Sequence, residues 1–492
     1  MERFNVFNRT ISVLADPSLL LISNGTNNTT IRSNGKVPFD SVSNVTNPIG
    51  PEDQLTSAED RRQFIVNMTL ESWNAYVKYA WGQANLKPLS ISKQQGWLAN
   101  AGTTIISAMS TLWVMGLREE FDLGRQWVQK DMDLDDRGLV KIGALLSCYA
   151  LTSDLLFLNM AETFANLYNA TEIEISATNV SKPKQYFHQM MVLREWINQR
   201  LEYRYLSDIT GEPKYWDRIQ RMETYFDQQP SRQDDPYQLE NWSIKVKAYI
   251  QSRFKNKKDI EQYYAFLRAL EEKGRLRTTK SKHYYIKESS TSNYMNNRYC
   301  YFGAMLTLGQ YDKQNVTVFE AWGNETPDLG TIVKHLNMAK KITELCYAST
   351  KMTRSGLAPF KFMLNENANE LNKSIRDVQG GFALNPDMAE SYFILWRMTG
   401  DQRYREYAWQ MALAIYKHCR TDRGYASVRE SNANPTVKID HQPAEFLSAT
   451  LKYLYLTFSP NDVLPLNRWI FNADGHPLPI YTKGKEGQIK FD

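Results

Sequence analysis

From Arg61 onward, apolar and aromatic residues return every three to four positions, beginning with the run Phe64 to Trp81. That period places them on one side of a helix. The same spacing predicts further helices over about 96–116, 121–130, 138–150, 154–168, 187–206, 214–227, 241–252, 258–273, 298–308, 330–350, 387–398, 401–419 and 441–457. Alternation typical of strands is scarce. Tyr284 to Ile286 and the Gly380–Leu384 region read as short hairpin pieces. Residues 1–60 are rich in Asn, Ser, Thr, Pro and Gly and read as a flexible or extended stem. No linker-like stretch divides 61–480, so that span reads as one domain, followed by a polar tail over 481–492.

A turn recurs between the predicted helices. Thr152-Ser153-Asp154 is followed by Phe157, Thr210-Gly211-Glu212 by Tyr215, and Thr399-Gly400-Asp401 by Tyr404. Each sets an acid at the start of a helix and an aromatic one turn in, positioned to lock that helix onto its neighbour. A turn repeated between antiparallel helices implies a repeated helical hairpin, arranged as a closed ring with an axial cavity or as an open superhelix.

Composition narrows the functional classes. The formal net charge is +5 and basic clusters such as Phe254 to Lys258 are short, so a nucleic-acid partner is not expected. No apolar run is long enough to span a bilayer. Ser12 to Ser23 is too weakly apolar for a signal peptide, so a secreted form would be a mature chain. Twelve Asn-x-Ser/Thr triplets point to the secretory lumen or the exterior, with N-glycosylation. They begin at Asn8, Asn24, Asn27, Asn28, Asn44, Asn67, Asn169, Asn179, Asn241, Asn315, Asn324 and Asn372. The four cysteines lack zinc-like spacing and leave room for one structural disulfide. Cys148, within the apolar run Leu145 to Leu151, reads as a buried small residue.

The six histidines form no paired metal motif, and phosphate-binding, dinucleotide and nucleophile-elbow patterns are absent. Carboxylates remain as candidates for chemistry. Asp131, Asp133, Asp135 and Asp136 precede a helix and read either as a solvated loop with a cap or as acids for a site. Asp387 and Glu390, three apart after Pro386, share one side of a first helical turn. Asp387 also reads as a helix cap, whereas Glu390 borders an apolar run and is the stronger pocket candidate.

The blocks ESWNAYVKYAWGQANLKPLS, GTTIISAMSTLWVMGL, GALLSCYALTSD, YCYFGAMLTLG, LCYASTKMTRSGLAP, LNPDMAESYFILWRMTGD, LKYLYLTFS and FNADGHPLPI occur in that order between Glu71 and Ile480. Together they resemble the class I alpha-mannosidase family, the inverting, calcium-dependent glycosidases that trim alpha-1,2-linked mannose from N-glycans. The resemblance implies an all-α fold, an (α/α)7 barrel of helical hairpins with minor β-hairpins around a central pocket. It also implies a disulfide between Cys300 and Cys346.

The resemblance does not carry the family's chemistry across intact. Its catalytic Glu falls on Asp136, and the Arg of the same block on Val140. Its catalytic Asp falls on Leu239, beside Glu240. Its Arg-Pro-Glu becomes Asn385-Pro386-Asp387, while the following Glu is kept as Glu390. Two Asp positions become Ser107 and Ser110, a Glu becomes Phe360, and Met-Glu-Ser-Phe becomes Gln442-Pro443-Ala444-Glu445. The calcium-ligating Thr becomes Ala473, and the His before the cysteine block becomes Asn297. Inverting hydrolysis needs two carboxyl groups about 6.5–9.5 Å apart, and calcium needs about six to eight oxygen ligands. These replacements predict a degraded calcium site, no resident cofactor, and a drier pocket.

Three functions follow as expectations. One is a barrel that has lost mannosidase activity and binds a glycan, small molecule or protein in or around its pocket. Another is a repurposed enzyme using Asp136, Asp387, Glu390 and His441 on a less polar substrate. The third is a divergent mannosidase.

Overall fold

A computed structural model of the chain describes residues 55–92, 102–132, 140–170, 198–227, 247, 250–251, 257–289, 291–309, 329–483 and 489–490. Helix α1 spans Ala58–Ala80 and opens on Ser57, whose hydroxyl accepts the Asp60 N–H at 3.0 Å. The helix therefore starts slightly ahead of the point where periodicity becomes legible.

Two kinds of helix follow. Thr103–Val114 (α2), Phe302–Leu308 and Leu451–Phe458 are apolar on nearly every side and buried along their length. Arg118–Lys130 (α3) and Arg403–Cys419 bury one side and expose charge on the other. A helix apolar all round needs protein on all sides, and a one-sided helix can face solvent. The first kind accordingly lines an inner ring and the second kind covers it.

The contacts trace that ring. Helix α2 packs on α4 (Val140–Thr152), and α4 packs on Arg200–Thr210. Across the molecule Phe302–Leu308 packs on Asp387–Thr399, which packs on Leu451–Phe458. The π-helical turn Phe446–Thr450 returns to α2. This contact favours the closed ring over the open superhelix, and the fold is an alpha/alpha barrel.

The repeated turn has a common mechanism. Thr152, Thr210 and Thr399 each donate from the hydroxyl to the carbonyl four residues back, at 2.7, 2.7 and 2.6 Å. Each hydroxyl also accepts the N–H two residues ahead, from Asp154, Glu212 and Asp401. The residue between has φ of 59° at Ser153, 74° at Gly211 and 68° at Gly400. Asp154 and Asp401 then accept the N–H groups of Leu156 and Arg403, both at 3.0 Å. Phe157, Tyr215 and Tyr404 are buried, as the repeat requires.

Several predicted spans are trimmed. The segment predicted as 441–457 becomes helical only at Ala444, after Gln442, which bridges Leu86, and Pro443, which lacks an N–H. Of the helix predicted over 187–206, positions 187–197 lie outside the described residues, and the described helix, Arg200–Thr210, runs past the predicted end to Gly211. Gly380–Leu384 is not a hairpin strand. The strand is Ile375–Gln379, and positive φ at Gly380 (73°) and Leu384 (61°) bends the chain at both ends of the segment. Its bonds are separate ones: the Phe382, Gly380 and Leu384 carbonyls accept from Val428 N–H, Ser431 N–H and the Thr450 hydroxyl, and Gly380 N–H donates to Glu430 Oε2.

Tyr284–Ile286 (β2) is a strand, paired antiparallel with Leu276–Thr278 (β1). Tyr294–Asn296 (β3), Lys361–Leu364 (β4) and Ile375–Gln379 (β5) form an antiparallel sheet at the edge of the pocket. The hairpin of Trp469–Phe471 (β6) and Pro477–Pro479 (β7) packs into the ring against α4 and Arg200–Thr210. Cys300 and Cys346 are bonded, with Cα atoms 6.0 Å apart. Cys148 and Cys419 are buried thiols. Among the described residues no helix is long and apolar enough to cross a membrane.

Candidate functional site

A cavity of about 400 Å³ opens at the axis of the ring. Its wall includes Ser107 from α2, Asn296, Asn297 and Arg298 around the start of the cysteine block, and Phe360 ahead of β4. Asn385, His441, Glu445, Ser448 and Asp474 complete its polar side, together with Asn85 and Thr103. Ala383, Pro443 and Ala444 contribute apolar surface. The described wall mixes amides and hydroxyls with apolar surface, and the expectation of a drier pocket rested in part on Leu239 and the side chain of Val140, which lie outside the described residues. Phe360 is 52% exposed. Its carbonyl accepts the Asn297 N–H at 2.9 Å, which ties its backbone to the adjoining wall segment.

The sequence candidates separate. Ser107, Phe360, Asn385 and His441 face this cavity. Burial and nearby Lys87 lower the His441 pKa despite the opposing charge of Asp440. Asp387 and Glu390 lie off the described wall. The Asn385 side-chain amide donates to Asp387 Oδ2. Lys247 Nζ donates to Glu390 Oε1 at 2.8 Å. Both carboxylates, with Asp474, bear electrostatically on the buried Tyr453 hydroxyl, whose pKa burial has already raised. Ala473 is exposed in the turn between β6 and β7. Asp136, Leu239 and Glu240, and the side chain of Val140, lie outside the described residues.

Ser110 is not on the wall but beneath it. Its hydroxyl accepts from Lys452 Nζ at 2.8 Å and lies 3.1 Å from His476 Nδ1. Lys452 also donates to the Gly475 carbonyl at 2.7 Å. On the other side of the same turn, Asn472 Nδ2 donates to Glu202 Oε1 at 2.6 Å. The Asn472 side-chain oxygen accepts the N–H groups of Asp474 and His476 at 3.0 and 2.7 Å. A buried polar lattice thus fixes the turn that carries Asp474 into the cavity.

Burial sets the charges here. It lowers the Lys452 pKa to about 7 and raises that of Glu202 to about 7, in the latter case against the Asn472 hydrogen bond and the Lys247 charge. Burial, then the Lys452 charge, drives His476 well below its ordinary value.

Sequence reasoning passed over Lys247, Lys452, Glu202, Asn472, Asp474 and His476 as site residues. Lys452 alone left a clear signal, a charge inside the otherwise apolar stretch Leu451–Phe458.

The residues present are a poor match for calcium. Ala473 offers no side-chain oxygen, and the neighbouring Gly475 carbonyl is bound by the Lys452 ammonium. Among the described residues, no three His, Cys, Asp or Glu side chains are grouped to hold a metal ion.

Comparison with known proteins gives a consistent result. The model of glycosyl hydrolase family 47 matches residues 68–246 and 241–480. Mannosyl-oligosaccharide alpha-1,2-mannosidase IA of Drosophila melanogaster is 29% identical over 483 residues, covering 88% of this chain and 69% of the relative. The human endoplasmic reticulum mannosyl-oligosaccharide 1,2-alpha-mannosidase is 27% identical, covering 86% of this chain and 64% of the relative. The structure of an alpha-1,2-mannosidase from Trichoderma reesei superposes with a TM-score of 0.70 at 17% identity, covering 86% of this chain and 99% of that one. That last likeness concerns the fold.

Proposed function

This chain belongs to glycosyl hydrolase family 47, and from that membership we propose a secretory-pathway binding barrel that holds a mannose-bearing glycan in its axial cavity without calcium-dependent hydrolysis. The observation that carries the reading is the cavity wall. Amides from Asn85, Asn296, Asn297 and Asn385 and hydroxyls from Thr103, Ser107 and Ser448 accompany one exposed aromatic ring, Phe360. Amides and hydroxyls suit the donor–acceptor pattern of a polyol, and an aromatic ring suits the apolar side of a hexose. The acids that match the family's acid block are engaged instead with Asn385 and Lys247.

The twelve sequons and the likeness to a human endoplasmic reticulum mannosidase support the lumenal route. The replacement of Thr by Ala473 and the Lys452–Gly475 contact support loss of the calcium role.

Titration of the full chain with a high-mannose oligosaccharide, with chelator and with added calcium, tests the proposal. Saturable binding that Phe360→Ala weakens about tenfold, with the oligosaccharide recovered uncut, is the expected result. Robust calcium-dependent release of mannose would overturn it.

One observation favours an enzymatic second reading. His441, Glu445 and Asp474 share the cavity wall, and a His with carboxylates can supply acid and base roles. Conversion of a bound compound that ceases in His441→Gln, while binding persists, would establish that reading instead.

A further inference from the structure

Two sequons fall where the structure describes the surroundings of both the asparagine and the hydroxyl residue, and the two asparagines differ in exposure. Asn67 is in the interior of α1, part-buried, with buried Val66 and Met68 on either side. Gln63 Nε2 donates to its side-chain oxygen at 3.4 Å. The partner hydroxyl, on Thr69, is fully buried and donates to the Ile65 carbonyl at 2.9 Å. Asn372 instead is exposed, in the short 3₁₀ turn Leu371–Lys373 that joins β4 to β5.

We propose that Asn372 carries an N-linked glycan and that folded, secreted chains carry none at Asn67. The inference rests on the secretory route proposed above and extends it to named positions. In the transfer, the Asn372 amide nitrogen bonds to the anomeric carbon of a lipid-diphosphate-linked oligosaccharide. The carbon–oxygen bond to the diphosphate breaks, the lipid diphosphate leaves with the bonding electrons, and the amide gives up one proton.

The structure also dates the modification. Ser374 is buried, and its hydroxyl donates to the Glu370 carbonyl at 2.9 Å and lies 2.8 Å from Ser281 Oγ. A hydroxyl so engaged is closed to a transferase, so the reaction precedes folding of the β4–β5 connection. After folding, the glycan at Asn372 extends into solvent. At Asn67 the same bulk would start from a part-buried side chain in the middle of α1, with buried Val66 and Met68 beside it. Asn372 also sits at the far end of the sheet from Phe360, separated by the length of β4, roughly 13 Å at the ordinary strand rise. A glycan there leaves the cavity mouth open.

The test is secretion of the full chain from cultured animal cells, then enzymatic deglycosylation in heavy-oxygen water and peptide mass spectrometry. The expected result is heavy Asp at 372 in most molecules and unmodified Asn at 67. Asn372→Gln should remove one glycan's worth of mass without loss of secretion, because the side chain is exposed. Unlabelled Asn372 beside other labelled sequons would overturn this inference and leave the secretory reading standing. Absence of label at every sequon would overturn both. Label at Asn67 in folded protein would overturn the second half.

Discussion

The Lys452 ammonium lies 2.8 Å from the Ser110 hydroxyl, fully buried, and also donates to the neutral Gly475 carbonyl. A buried ammonium held by neutral groups is costly, which is why its pKa falls to about 7. Ser110→Asp would set a carboxylate at that position. The substitution is expected to stabilise the protein by about 2 kcal/mol near neutral pH. Urea unfolding of the two proteins checks it, and a destabilised variant would show that the site has no room for the charge.

Stability should fall and then rise across neutral pH. Between its unfolded value and about 7, Glu202 keeps in the folded state a proton that the unfolded chain has lost, so its contribution declines as pH rises. From about 7 to the ordinary lysine value, the unfolded chain holds a proton that folded Lys452 has shed, so stability climbs with pH. Each slope is at most about 1.4 kcal/mol per pH unit. Glu202→Gln should flatten the first limb and Lys452→Met the second, measured as denaturant midpoints against pH. Unchanged limbs would mean that other groups govern the profile.

Gly381→Ala should be among the more damaging single-methyl additions to the cavity wall. A Cβ at this position would overlap the Val428 carbonyl oxygen and the backbone beside it, and backbone cannot rotate away as a side chain can. A loss of about 2 kcal/mol or more is expected. Thermal unfolding and soluble yield read it out. Wild-type stability would require the 380–384 segment to shift freely.

Chelation should leave stability unchanged. A ligand that binds only the folded state raises stability in proportion to the logarithm of its concentration over its dissociation constant. With Ala473 and Lys452 at the expected cation position, added calcium followed by chelator should move the thermal midpoint by less than a degree or so. A calcium-dependent rise of several degrees would identify a calcium site despite these replacements.

Much of the barrel was legible because it depends on local pattern. Helical period, the Thr-x-acid turn and its following aromatic are short-range signals, and the same threonine bonds recur in all three turns. The cysteine pairing followed from resemblance and matches the bond between Cys300 and Cys346. Element ends were less legible. The limits of 441–457 and 380–384 depend on the Leu86–Gln442 bridge and on left-handed φ at Leu384, neither of which a local pattern specifies.

The candidate site divides in the same way. Sequence by itself determined which residue types stand at the pocket positions, including Phe360, Asn385 and Ala473, because a side chain's chemistry is fixed by its identity. Only the tertiary structure decided which of them share a wall and which are neutralised. Lys247 meets Glu390 across 143 positions, and Lys452 meets Ser110 across 342. Such pairings are set by ring closure and by the hairpin packed within it. Electrostatic energy depends on distance and burial, which become defined only when those elements meet.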